Sequence, residues 1–121
     1  MTEYVQSVGP ESAGLDAVQL EHLRDKLMQA RAETLDRLRD QEAITLSAEQ
    51  LSEPMDEAEL AREQGDAALL VERGLQRLRD IDDALAKMDA GRYGLSEKSG
   101  TPIGFDRLDA IPWARSAVDE E

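Results

Sequence analysis

Apolar residues and one threonine recur at spacings of three and four early in the chain: Leu20, Leu23, Leu27, Ala30, Thr34 and Leu38. Charged side chains occupy most positions between them. That is the stripe of an amphipathic helix. Its start carries several agreeing signals. Asp16 is a good N-cap, Gln19 stands three residues on as in a capping box, and Leu15 and Leu20 are placed for a hydrophobic staple. No Gly or Pro interrupts the pattern as far as about Leu46.

The segment "LSAEQLSEPMDEAE", residues 46–59, breaks the stripe. Pro54 disfavours helix at Glu53, and Asp56 or Ser52 is suited to cap a second helix. A second stripe then runs Leu60, Gln64, Ala67, Val71, Leu75, Leu78, Ile81, Leu85, Met88. Its mean spacing is close to the coiled-coil period. Gly65 and Gly74 each weaken this helix by roughly 1 kcal/mol relative to Ala. Gly91, after "KMDA", fits a C′ residue that ends it. Two amphipathic helices of similar length joined by a turn predict an all-α chain, a long antiparallel coiled-coil hairpin. At ~1.5 Å per residue each arm extends on the order of 40 Å. The alternative, a compact three-helix bundle, needs a strong third helix that the sequence does not offer.

Composition narrows the picture. The formal net charge is −13, from 27 acidic and 14 basic residues. Such a surface repels phosphate backbones and anionic membranes, so the expectation is no DNA binding and no membrane binding by the chain itself. A basic surface on another protein is the natural partner. The absence of cysteine excludes disulfides and thiolate metal sites. No secretory signal and no apolar run of ~20 residues is visible, which predicts a cytoplasmic protein; a monomer is expected as well. The last thirty residues differ from the rest: Tyr93, Phe105 and Trp113 are three of the four aromatics, with Leu95, Ile103, Leu108 and Ile111 between them. "IGFDRLDA" is long enough for one or two helical turns before Pro112. The expected organisation is an N-terminal arm over 1–14, the hairpin over 15–90 with its tip near 47–58, and a small C-terminal module over 91–121. Tyr4, Val5 and Val8 of the arm are candidates to cover that module.

The stretch "GRYGLSEKSGTPIGFDRLDAIPWARSAVDEE" resembles the C-terminal module of the DksA/TraR family of bacterial transcription regulators. Those proteins carry a four-cysteine zinc finger behind a coiled-coil hairpin. Gly91, Tyr93, Gly94, Gly100, Ile103, Gly104, Arg107, Leu108, Ala110 and Pro112 stand where the family pattern wants them. The four cysteine positions fall on Ser96, Ser99, Ala117 and Glu120, so the resemblance implies a degenerate, zinc-free finger whose apolar cluster must carry the load. The hairpin tip adds to the match. The DksA branch has Asp-Pro-x-Asp-x-Ala there, and this chain has "EPMDEA", with Glu53, Asp56 and Ala58 at the matching positions.

The resemblance implies a function: binding RNA polymerase through its secondary channel, with the acidic tip acting near the active centre. It also raises the alarmone ppGpp as a ligand at the hairpin base. Arg73 matches one basic position of that site, whereas a second falls on Asp80, which would repel a phosphorylated nucleotide; Arg77 and Arg79 are close enough to substitute. Without the resemblance, "SEPMDEAE" is a solvated turn with a helix cap, and the arginines lie on a solvated face. No cofactor is expected, and no enzyme activity. His22 is the only histidine, in a charged helix, and no nucleophile–base set is visible. "DIDDALAKMDAG" lacks the ligand spacing of an EF-hand. The rival to a transcription regulator is a non-catalytic helical-hairpin adaptor for another protein.

Overall fold

The structure is a computed structural model that describes residues 13–51 and 56–118 of the chain. It contains two long helices, α1 (Ala17–Leu51) and α2 (Glu57–Asp89), and a short one, α3 (Phe105–Ala110). Among the described residues there is no strand, only an isolated antiparallel bridge between Leu95 and Pro102. The chain is all-α. The capping box forms at the head of α1. The Gln19 N–H donates to Asp16 Oδ1 at 2.7 Å, and the Asp16 N–H donates to Gln19 Oε1 at 3.1 Å. α1 continues past Leu46 to Leu51, because no Gly or Pro stops it before Pro54.

The end of α2 is a Schellman motif. Gly91 has φ of 75°, its N–H donates to the Met88 carbonyl at 3.2 Å, and the Arg92 N–H reaches the Lys87 carbonyl at 2.8 Å. Two carbonyls that the helix leaves orphaned are thereby satisfied, and the chain is turned into the C-terminal segment.

The described residues form two compact units, 13–30 with 80–118, and 31–79. The first unit holds almost all of the core. Leu15, Leu23, Leu27, Ile81, Ala84, Tyr93, Ile103 and Leu108 make one buried cluster, with Leu20, Leu85, Met88, Phe105 and Trp113 packed against it. The predicted stripe of α1 and the large apolar residues of the C-terminal segment therefore meet in one place. The N-terminal arm residues Tyr4, Val5 and Val8 lie outside the described residues; Ala13 at its end is buried. Gly94 is enclosed there too. With φ of 93° it occupies a conformation L-residues avoid, and an added Cβ would stand 3.0 Å from the Ala13 Cβ.

The second unit is different. Thr34 is its one buried residue among those described, while Ile44, Leu60, Leu69, Leu70 and Leu75 are exposed. Leu75 was expected on the apolar seam, but Gly74 takes that place. Strict alternation of three and four through Ala67, Val71, Leu78 and Ile81 requires it. Leu38 lies over Gly74 so closely that an added Cβ would come within 2.7 Å of its Cδ2. Gly65 has open space instead. Gly65→Ala is therefore expected to stabilise the protein by roughly 0.5–1 kcal/mol, the helix-propensity gain, measured by urea unfolding with far-UV circular dichroism. Gly74→Ala should lose that gain to the contact with Leu38.

Candidate functional site

The acidic group singled out by the sequence falls between α1 and the first residues of α2. Glu53 lies outside the described residues. Asp56 is the N-cap of α2: its Oδ1 accepts the Glu59 N–H at 2.8 Å, and its carbonyl accepts the Leu60 N–H at 3.0 Å. Asp56, Glu57, Ala58 and Glu59 are all exposed. Their negative charge sits at the positive end of the helix dipole, which favours it. At Asp56 the cap bond through Oδ1 and exposure of the residue coexist.

Within residues 31–79 the two long helices line a cleft of about 380 Å³. Arg37, Arg73 and Arg77 contribute guanidinium groups, Leu38, Ile44 and Leu70 contribute apolar surface, and Asp40 contributes the one acidic side chain. In a chain of net charge −13 this is a local concentration of positive charge. Arg79 is not part of the lining; its Nη2 donates to Gln76 Oε1 at 2.7 Å. Asp80, which the sequence presents as a repulsive substitution, has a structural partner. Its Oδ1 accepts from Arg115 Nε at 3.1 Å and from Arg115 Nη2 at 2.8 Å.

The C-terminal segment folds into a hydrogen-bonded turn around Ser96. Ser96 is buried, and its Oγ accepts the N–H groups of Lys98 at 3.1 Å and Ser99 at 3.3 Å. The Gly100 N–H closes the turn on the Ser96 carbonyl at 2.9 Å, and the Ile103 N–H bonds the Gly94 carbonyl at 2.8 Å. Ser99 Oγ pairs with Thr101 Oγ1 at 2.7 Å. Tyr93 spans the segment: its hydroxyl donates to the Pro112 carbonyl at 2.8 Å, and burial pushes its ionisation well above the ordinary tyrosine range. These residues do not fit zinc. Two neutral hydroxyls are already committed to hydrogen bonds, Ala117 has no donor atom, and Glu120 lies outside the described residues. Tight zinc binding wants thiolate or imidazole ligands. Elemental analysis of protein purified without chelator is expected to find well under one zinc per chain, and EDTA to leave the unfolding curve unchanged. Stoichiometric zinc that survives dialysis would contradict this.

Two charge clusters are not visible in the sequence. Arg115 also donates to Asp83 Oδ2 at 2.6 Å and to Glu97 Oε2 at 2.8 Å, and Lys87 bonds the same Glu97 oxygen. Lys87 first, and Arg115 after it, hold the Glu97 carboxyl below its ordinary range. The second cluster ties α3 to α1. Lys26 Nζ donates to the Asp109 carbonyl at 2.7 Å and lies 2.8 Å from its Oδ1, and His22 Nε2 is 2.7 Å from the same oxygen. His22 is about half exposed, with this partner and a tilted contact with the Phe105 ring. Lys26, then His22, lowers the Asp109 pKa. A carboxylate depressed in the folded state adds stability above its unfolded pKa and loses it as pH falls through the folded value. Asp109 should therefore titrate below ordinary aspartate in a carboxyl-carbon NMR titration, and Lys26→Met should move it back up.

No protein-family model matches the chain. Individual proteins do. The chain is 35% identical over 106 residues to the RNA polymerase-binding transcription factor DksA of Caulobacter vibrioides, covering 85% of this chain and 73% of that protein. It is 36% identical over 114 residues to the uncharacterized protein YteA of Bacillus subtilis, covering 84% of this chain but 47% of YteA. General stress protein 16O of the same organism is 30% identical over 108 residues, with 85% and 66% covered. The chain thus spans about half the length of YteA and about two thirds of general stress protein 16O. Among solved structures, transcription factor DksA2 from Pseudomonas aeruginosa superposes with a TM-score of 0.78 at 29% identity, over 98% of this chain and 92% of that one. Fold and site define a small helical protein with two long helices, the second capped by an aspartate, and a C-terminal segment packed on the ends of both. The chain belongs to the DksA/TraR family.

Proposed function

We propose that this chain is a non-catalytic transcription regulator that binds RNA polymerase, entering the secondary channel with a coiled-coil hairpin whose acidic tip acts near the active centre. The observation that carries this reading is the 35% identity, over most of the chain, to a transcription factor described as RNA polymerase-binding. The near-complete superposition on DksA2 supports it. Exposure supports the tip assignment as well: Asp56 and Ala58 are accessible on the first residues of α2. A carboxylate carried on a long helix can reach a site that a compact domain cannot. There it can bond basic groups or perturb bound Mg²⁺. The protein would act as a single cytoplasmic chain, with no DNA contact of its own.

The arginine-lined cleft supports docking more than nucleotide sensing. Arg73 and Arg77 face a common space with Arg37, and this suits anionic side chains of a partner. The ppGpp site implied by the family is weakened at Asp80, which is an acid engaged with Arg115. Co-purification of the tagged chain with core RNA polymerase tests the proposal. Recovery of stoichiometric polymerase is expected. Failure to recover it from a folded protein would leave the adaptor reading in its place. In a reconstituted complex, Arg73→Ala should weaken binding with or without added ppGpp. Loss confined to the nucleotide-bound state would instead make Arg73 a nucleotide ligand.

A further inference from the structure

We infer that an ionic clasp centred on Arg115 does in this chain the structural work that four thiolates and a zinc ion do in the family pattern. Zinc would join two segments, the knuckle around Ser96 and Ser99 and the later segment around Ala117. The same two segments are cross-bonded here by one residue. The Arg115 carbonyl accepts the Glu97 N–H at 2.8 Å, and its guanidinium returns to Glu97 Oε2 at 2.8 Å. Glu97 is the immediate neighbour of Ser96, so the tie lies where the knuckle would have gripped a metal.

The clasp also reaches a third element. Asp80 and Asp83 lie about one turn apart on one face of α2, and both accept from Arg115 Nη2, at 2.8 and 2.6 Å. Lys87, one turn further along, bonds the same Glu97 oxygen as Arg115. The planar fork of an arginine is the side chain that can satisfy three carboxylates at fixed angles; the point charge of lysine is not. Asp80 is the most enclosed member of the cluster, with about a fifth of its side chain exposed. A lone exposed pair contributes little, but a charge network with good geometry contributes more. Trp113 and Tyr93 line the same pocket as Asp80, Asp83, Lys87 and Arg115, which couples the clasp to the aromatic packing.

Thiolate–metal bonds and ion pairs fail under different conditions. The first yields to chelators and oxidants, the second to ionic strength. Salt acts twice on this chain, because it also relieves the repulsion of an overall charge of −13. The informative quantity is therefore the difference between wild type and variant. Urea unfolding of the full chain, followed by Trp113 fluorescence, would be run in about 0.05 M and about 1 M sodium chloride. At low salt Arg115→Gln is expected to raise the unfolding constant roughly tenfold or more, and Arg115→Lys to recover only part of the loss. The gap should shrink in high salt. Glu97→Gln should cost less in the Arg115→Gln background than in wild type. Arg39→Gln, which removes an exposed pair with Asp36, should change little. If Arg115→Gln does not fold, the comparison of Arg115→Lys with wild type decides. A gap that is absent, or that does not respond to salt, overturns the clasp. So does stoichiometric zinc whose removal lowers stability.

Discussion

Leu108→Ala is expected to destabilise the protein by about 2–5 kcal/mol, the range for removing a large buried aliphatic side chain without full collapse around the gap. Leu108 is fully enclosed. It stands on α3, a helix of six residues that cannot persist by its own main-chain bonds and depends on this contact. The buried cluster it belongs to draws on α1, α2 and the segment 93–103, so closing a cavity there would require several elements to move together. A loss of this size is a large share of the stability of an ordinary domain. Urea unfolding read by Trp113 fluorescence reports it directly, because Trp113 packs on the same cluster and is the only tryptophan. Val118→Ala supplies the comparison: Val118 is 64% exposed, and its truncation should change stability by no more than about 0.5 kcal/mol. Equal effects at the two positions would show that the C-terminal segment has no such core.

Asp56→Asn is expected to abolish most of the regulatory effect on a sensitive promoter while leaving polymerase binding within a few-fold of wild type. The substitution suits the question because Asn is as good an N-cap as Asp. The bond to the Glu59 N–H is retained, and so is the start of α2. What disappears is one exposed negative charge. Every other side chain of the two long helices and of the C-terminal segment is left as it is. In vitro transcription and an affinity measurement on the same preparations separate the two effects. Asp56→Ala is the harsher variant, because it also removes the cap and should cost about 0.5–2 kcal/mol in stability. An Asp56→Asn protein that regulates as well as wild type would leave family membership intact and remove the proposed role of the tip.

The parts of this fold that were legible in the sequence are those written in local spacing. Asp16 and Gln19 announce the start of α1, and Gly91 announces the end of α2, because caps are built from residues three to six apart. The stripe of α1 named Leu23 and Leu27 as core, and the aromatic-rich C-terminus named Tyr93 and Leu108. Gly74 was visible only as a weak helix residue. Its place under Leu38 depends on strict alternation of three and four, a signal that the mean spacing of the stripe blurred. The Arg115 cluster was not legible. Its partners lie 18 to 35 residues away in sequence, and ion pairs impose no periodicity. Asp80 was judged by its charge alone, and its meaning depends on a partner that only the folded chain supplies. The site positions taken from resemblance stand on a different footing: Asp56 gains a clear local role as a cap, while Glu53 and Glu120 lie outside the described residues.

The exposed leucines and isoleucine of residues 31–79 have a calorimetric consequence. Ile44 and Leu70 border the arginine-lined cleft with more than half of each side chain in water. Any partner that covers this face removes apolar surface from solvent, and that removal lowers heat capacity. Association through this unit should thus become steadily more exothermic on warming. Contact confined to the acidic residues at the start of α2 would leave the enthalpy nearly flat, so the temperature slope of the binding heat reports how much of the two long helices a partner embraces.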